Sequence, residues 1–306
     1  MISIYKKTLK DNQLLSINDI EKGCWISVTD PSKSELADLE RKMNLDATIM
    51  EDGLDDNEIP RIHLENGTFY LIIRFPMEAD GNIITVPLLV CVTSENIITM
   101  CKRESKVIAK FIETKLSFCT TQKTQLLLKI ILEIFGCYEN FLSRILKDIK
   151  HKKIKINNLN NNDILYLVQE EETLNDFEMS LAHNINVLEK ILSGRYITLY
   201  EKDKDITEDL FMDSKQTLEM SKVALKSIRN IREAYSTILS NELNKVIKVL
   251  TGATIVITIP NIVGSLFGMN VAVPFANDSL GFYYILLIIA VLSLLMYIVL
   301  FRRKWI

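Results

Sequence analysis

The sequence predicts an α+β membrane protein. Its order is an N-terminal α/β domain, a helical hairpin, a long stalk helix that continues into a first membrane span, and a second span. Three observations predict this. Charge nearly vanishes after residue 248: Asp278 is the one charged residue from 249 to 301, whereas residues 1–248 carry 33 basic and 38 acidic side chains. Residues 195–251 contain neither glycine nor proline. The first 120 residues hold short runs rich in β-branched and aromatic residues, punctuated by turn dipeptides, as strands are. The totals, 48% hydrophobic and 25% charged over 306 residues, exclude collagen-like, disordered and disulfide-scaffold classes.

Residues 1–120 read as the α/β domain. Strands are expected at 24–29, 69–75 and 86–93, with turns at Asn66 and Gly67 and at Asp80 and Gly81. Ser32 or Ser34 caps a helix over 35–43. The N-terminus lacks an apolar core and is charged at residues 6, 7, 10 and 11, so no secretory signal is expected there. Cys24, Cys91, Cys101, Cys119 and Cys137 form no CxxC pair, which fits reduced thiols packed in a cytosolic body.

Residues 121–200 read as an antiparallel hairpin: a helix over 123–155, an asparagine-rich loop at 157–162, and a return helix over 163–192 ended near Gly194. The tip is basic (Lys147, Lys150, His151, Lys152, Lys153, Lys155) and the return helix carries Glu170, Glu171 and Glu172. Solvated faces and cross-helix ion pairs account for both runs. Nucleic acid is not expected as a partner, because the chain is net acidic at −3 and no aromatic residues are interleaved with the lysines.

The stalk is expected over 201–248. Ala224, Ile228, Ile231, Tyr235 and Ile238 recur at spacings of 4, 3, 4 and 3, a heptad-like seam suited to packing against copies of the same stalk. Residues 249–269 and 281–301 are two uncharged stretches of 21 residues, apart from the 11-residue loop 270–280 between them. Each matches the roughly 20 residues that cross a bilayer's hydrocarbon core. Lys245 and Lys248 precede the first span, Arg302, Arg303 and Lys304 follow the second in the tail 302–306, and the loop has no basic residue. The positive-inside rule then places both termini in the cytoplasm of a cell-membrane protein. Tyr283, Tyr284 and Trp305 fall at the two interfaces.

The spans differ in chemistry. The second is almost wholly aliphatic and aromatic, suited to lipid. The first carries Asn244, Thr251, Thr254, Thr258, Asn261, Ser265 and Gly268 at spacings of 7, 3, 4, 3, 4 and 3, one face of a helix. Such a stripe either glues helices together or lines a wet path. Its length and the central Asn261 favour the path, which needs several copies around an axis. The stripe offers amide and hydroxyl oxygens without a carboxylate, histidine or cysteine. That suits a cation that keeps its water, as Mg2+ does, over a softer metal. Pro260 deprives the Val256 carbonyl of its helical donor.

The stretch NELNKVIKVLT, then IPNIVGSLFGMN, then PF after three further residues, and the tail RRKWI together resemble the CorA family of magnesium transporters. Asn244, Lys248, Leu250, Thr251, Pro260 and the hallmark Gly268, Met269 and Asn270 fit the family pattern over about residues 205–306. The resemblance implies a funnel-shaped homopentamer that conducts Mg2+ inward, with Co2+ and Ni2+ as further substrates. It implies a selectivity filter of Gly268, Met269 and Asn270, and a hydrophobic constriction at Leu250. It also implies Mg2+ as a regulatory ligand between cytoplasmic domains, held by Asp209 with Glu78 or Asp80. No organic cofactor is implied. The sequence departs from the family pattern at Phe267, where tyrosine is common, in a single loop acid, Asp278, and in its basic hairpin tip. A zinc transporter of the same superfamily and a membrane-anchored metal sensor are the competing readings. An enzyme is not expected, since His63, His151 and His183 sit in no catalytic arrangement.

Overall fold

The computed structural model describes residues 1–306 except Thr114, Lys115, Lys155, Asn157, Asn158, Ala272, Ala276, Asn277, Lys304 and Ile306, and except the side chains of Glu201 and Lys202. Lys155 of the basic tip and Lys304 of the basic tail therefore lie outside the described residues, as do parts of the two loops. The chain forms two compact bodies, Met1–Asn230 and Ile231–Ile306.

The first body contains β1 (Ile2–Lys6), β2 (Leu15–Ile17), β3 (Trp25–Thr29), α1 (Lys33–Met43), α2 (Ala47–Asp52), β4 (Arg61–Glu65), β5 (Thr68–Ala79), β6 (Asn82–Val92), β7 (Ile97–Cys101), α3 (Lys106–Ile112), α4 (Lys123–Ile154), α5 (Asn161–Leu192) and the start of α6 (Glu201–Phe267). The seven strands make one mixed sheet in the order β2-β1-β3-β7-β6-β5-β4, in which only β3 and β7 run parallel. Both faces are covered, so the central strands read as continuous apolar runs and not as alternation. On one face Ile26, Val28, Ile72, Cys91 and Met100 pack under Leu39, Ile49 and Met50 of α1 and α2. The other face carries the long helices, with α4 against β5 and α5 against β5 and β6.

β5 and β6 extend past the expected strands toward the turn that joins them; Pro76 lies just beyond the first expected strand and Pro87 inside the second. Both prolines are accommodated for one reason. Pro76 pairs with Thr85 and Pro87 with Arg74, two steps apart on the ladder, so both fall on pairs of the same hydrogen-bonding type. The backbone of Arg74 points away from β6 and is satisfied by helices. Its N–H donates to Asn184 Oδ1 at 3.1 Å, and its carbonyl accepts from Asn184 Nδ2 at 2.8 Å and from the Tyr138 hydroxyl at 3.2 Å. Asn184, fully buried on α5, thus stands in for a neighbouring strand. The Arg74 guanidinium donates to the carbonyls of Asp56 at 2.8 Å and Glu58 at 2.9 Å, and also to the Thr85 carbonyl. The β5–β6 turn has Asp80 at φ 52° and Gly81 at φ 80°, the double positive φ that such a tight hairpin requires.

Helix α1 is capped by Ser32, whose hydroxyl accepts from the Glu35 N–H while Glu35 reaches back to the Ser32 N–H. Asn160 and Asp163 make the same reciprocal cap on α5. α4 and α5 are antiparallel. Tyr138 meets Phe177, the Tyr166 hydroxyl donates to Asp148 at 3.0 Å, and Lys152 pairs with Asp163, so rising numbers on one helix meet falling numbers on the other.

One expectation is corrected here. Ala224 and Ile228, the start of the heptad-like seam, are fully buried within the single chain. The seam runs back through Asp203, Thr207, Leu210, Ser214, Thr217 and Ser221, all buried. It packs on the chain's own hairpin: Thr217 donates to Glu139 of α4 at 3.3 Å, and Ser221 to the Leu174 carbonyl of α5 at 3.3 Å. This stretch is therefore not free to pack against copies. Its small hydroxyl residues let α6 approach closely and satisfy their donors locally.

The second body comprises the remainder of α6 and α7 (Gly281–Arg302). α6 continues without interruption through Pro260.

Candidate functional site: the polar face of α6 and the turn that follows it

The helix α6 from 249 and the whole of α7 are apolar enough to cross a bilayer, with mean hydropathies of 1.9 and 2.9 in their most apolar stretches. Little of either is buried by the chain itself. The buried residues of this two-helix body include Gly252, Val263, Gly281 and Leu300, with Ile255, Val256 and Ile259 half-buried beside the first two. The polar stripe lies elsewhere. Asn244, Thr251, Thr254, Thr258, Asn261 and Ser265 are all exposed, as is Leu250 at 67%. The stripe is therefore not glue between the chain's own two spans. Inter-subunit glue and a wet path remain.

Two of its threonines have their protons committed. The Thr254 hydroxyl donates to the Leu250 carbonyl at 2.9 Å, and the Thr258 hydroxyl to the Thr254 carbonyl at 2.7 Å. A hydroxyl has one proton and two lone pairs. With the proton spent on the helix backbone, each threonine turns only acceptor oxygen outward. Such a surface suits groups that donate, as the waters around a metal cation do.

α6 ends at Phe267, and Gly268, Met269 and Asn270 follow as an exposed turn. The Gly268 N–H donates to the Gly264 carbonyl at 2.9 Å, the last helical bond. A Cβ on Gly268 would stand 3.2 Å from that same carbonyl, tight enough to push it aside. A side chain at Gly268 would thus require that carbonyl to give by a few tenths of an ångström. Beyond it, Phe275 packs on Tyr284 with ring centroids 5.7 Å apart, and its carbonyl closes on Gly281 at the start of α7.

The three acids expected to hold a regulatory ion occupy unlike settings. Asp209 is exposed on α6. Glu78, near the end of β5, accepts from Arg144 at 2.7 Å and lies 3.6 Å from Lys106. The Arg144 hydrogen bond holds its carboxyl below the usual carboxylate range. Asp80 sits in the β5–β6 turn, exposed and without an ion pair among the described residues. A single chain does not gather them: among the described residues no group of three or more histidine, cysteine or acidic side chains could hold a metal.

Sequence reasoning missed the buried polar groups of the first body. Arg74, Tyr138, Ser180 and Asn184 form one connected network. The available signal was an arginine within the run FYLIIRFP, which is otherwise apolar. A second group lies between α4 and α5. Tyr166 bridges Asp148 and Glu170, and burial, with Asp148 adding to it, pushes the Glu170 carboxyl above its ordinary range.

A large polar body joined to two membrane-crossing helices, the first with a polar face and an exposed glycine turn, defines a two-span integral membrane protein. The sequence matches the family described as CorA-like Mg2+ transporter protein over residues 21–303, and the chain belongs to that family. It is 27% identical over 291 residues to the cobalt/magnesium transport protein CorA of Methanocaldococcus jannaschii, covering 92% of this chain and 91% of that one. The complete structure of the CorA magnesium transporter from Methanocaldococcus jannaschii superposes with a TM-score of 0.88 at 22% identity, over 100% of this chain and 99% of that one. The full-length CmaX protein has the same fold, with a TM-score of 0.78 at 17% identity over 99% and 96% of the two chains.

Proposed function

We propose that the chain assembles as a homopentamer and carries Mg2+, with Co2+ and Ni2+ as further substrates, into the cytoplasm down its electrochemical gradient. The name of the Methanocaldococcus relative, a cobalt/magnesium transport protein, supports the substrate class. The observation that carries the reading is the polar face of α6, on which Thr254 and Thr258 turn acceptor oxygen outward. It is exposed in one chain and turned off the buried face, as the wall of a shared path must be. Five copies of Asn244, Thr251, Thr254, Thr258, Asn261 and Ser265 would line that path, with Leu250 as its apolar constriction. Gly268, Met269 and Asn270 would form the mouth. There the Asn270 amide oxygen accepts from the ion's first waters and leaves the octahedral shell intact. Both termini lie in the cytoplasm in this reading, by the distribution of Lys245, Lys248, Arg302 and Arg303.

Regulation follows the same logic. Mg2+ on the cytoplasmic side binds between neighbouring subunits, with Asp209 from one and an N-terminal acid from the next, and holds the path closed. Asp80 suits the second role better than Glu78, whose charge is already compensated by Arg144 and Lys106. Mg2+ is thus both substrate and regulatory ligand.

Uptake of Mg2+, Co2+, Ni2+ and Zn2+ into proteoliposomes, compared with Asn270→Ala, tests the reading. Mg2+ entry is expected to fall by about tenfold or more in the variant, with the oligomer intact by native mass spectrometry. Uptake of Zn2+ without Mg2+ would assign a zinc transporter. Absence of flux for all four ions would assign a membrane-anchored sensor.

A further inference from the structure

The hairpin tip carries a basic face that the transport reading does not use. On α4, Lys147, Lys150, His151 and Ile154 recur at i, i+3, i+4 and i+7, one side of a helix, and all four are exposed. Ile145 and Ile149 take the buried side. Lys153 adjoins the exposed side in the last turn. Lys152 is different in kind: it pairs with Asp163 and lies 4.8 Å over the Tyr166 ring. Lys147, Lys150 and Lys153 have no ion pair among the described residues, on a chain whose first 248 residues are net acidic.

Two large apolar side chains are exposed at the same end of the hairpin, one of them on this basic face. Ile154 is 77% exposed and Leu165, in the first turns of α5, is 62% exposed. A face that only met water would gain nothing from them. Lysines around exposed aliphatic residues fit a boundary where anionic headgroups give way to acyl chains. The placement agrees. Within the first body α4 and α6 run the same way, because Thr217 meets Glu139 while Arg229 meets Glu171 further toward the tip. The tip therefore lies at the end of that body from which α6 leaves. Only 18 residues, 231–248, separate Asn230 from the start of the charge-free stretch.

We propose that the hairpin tip docks on anionic phospholipid headgroups at the surface of the same bilayer. Lys147, Lys150 and Lys153 meet phosphate oxygens, and Ile154 and Leu165 enter the boundary layer. The proposal rests on α6 and α7 spanning a bilayer, and not on which ion passes.

The test is amide hydrogen exchange of segments 147–154 and 161–166 in the full chain. The chain is held in nanodiscs of phosphatidylcholine alone or with about a third phosphatidylglycerol. Exchange is expected to be at least about threefold slower with phosphatidylglycerol, and to return to the phosphatidylcholine value in about 0.5 M NaCl, where the screening length drops to a few ångströms. The variant K147Q/K150Q/K153Q, with β5 and β6 still protected, should lose the difference. Leu165→Ser, which leaves the charges in place, should lose part of it. Equal exchange in the two lipids would overturn the proposal, as would protection that survives the triple substitution. Slowing in phosphatidylcholine discs on addition of short duplex DNA would overturn it in favour of nucleic acid. Failure of the chain to enter discs at all would sink the membrane reading itself, and loss of ion uptake with normal tip protection would sink only the transport reading.

Discussion

Asn184 and Asn261 are the same residue in opposite circumstances. Asn184 is fully buried, and its amide oxygen and nitrogen both bond to the backbone of Arg74. Asn261 is exposed on a helix otherwise rich in isoleucine and valine. The contrast extends to the two bodies. Residues Met1–Asn230 pair many of their interior polar groups among themselves, down to the hydroxyls of Ser180 and Thr85, 3.1 Å apart, although Asp56 Oδ1, Arg61 Nε, Glu170 Oε2 and Asp203 Oδ1 are buried without a hydrogen-bond partner among the described residues. Residues Ile231–Ile306 leave both their polar face and aliphatic residues such as Ile257 and Leu287 exposed. The first body buries its apolar core within its own chain; the second needs lipid on one side and something wet or identical on the other. A buried polar group without a partner is costly, so an unpartnered stripe on a membrane helix signals that its partners come from outside the chain.

The comparison can be broken at several points. The largest effect is expected in the first body, from Arg74→Met. It strands the carbonyls of Asp56, Glu58 and Thr85, and about 3 kcal/mol of stability should be lost. Differential scanning fluorimetry in detergent should show the transition of that body lowered by roughly 6–12 °C. An unchanged transition would mean that the network is ornamental.

Thr258→Val separates glue from path in the second body. It removes an outward acceptor while keeping shape. Mg2+ uptake is expected to drop severalfold with assembly unchanged; weakened assembly with normal uptake per oligomer would favour glue. Asp209→Ala is expected to relieve inhibition by cytoplasmic Mg2+. In patch-clamp recordings the current should persist across millimolar Mg2+, and an unaltered inhibition curve would remove Asp209 from the sensor.

The smallest effect concerns Glu170. Its folded pKa is raised, chiefly by burial, so its contribution is fully present below the unfolded carboxylate pKa and is lost as pH rises through the folded value. Glu170→Gln should therefore raise the melting temperature at neutral pH and flatten its dependence across that window. A variant less stable at neutral pH would refute the sign.

The legible parts of the chain were those with one dominant signal. The apolar stretches and the polar stripe could be read because charge and spacing vary sharply there, whereas Gly268, Met269 and Asn270 stand out only through their resemblance to the CorA family. The sheet was harder. The expected strand over 69–75 stops at Pro76, since nothing local reveals that helices serve the backbone at Arg74 and that the ladder continues past the proline. The seam of α6 was half seen. Its upper part is built from Thr207, Ser214, Thr217 and Ser221, which an apolar search passes over, so its partner was taken to be another copy instead of the hairpin. The acids proposed as regulatory could not be ranked, because the clasp of Arg144 and Lys106 on Glu78 joins residues far apart in sequence.

Within the second body, the helix that carries the polar face also fixes an angular phase along it. Each added residue turns everything downstream by about 100°. A single insertion between Thr254 and Thr258 would swing Asn261 and Ser265 a quarter-turn or more away from Thr251 and Thr254, while seven would bring them back to within about 20°. The count of residues along that face is therefore constrained modulo the heptad, whereas the residues between its members are free to drift.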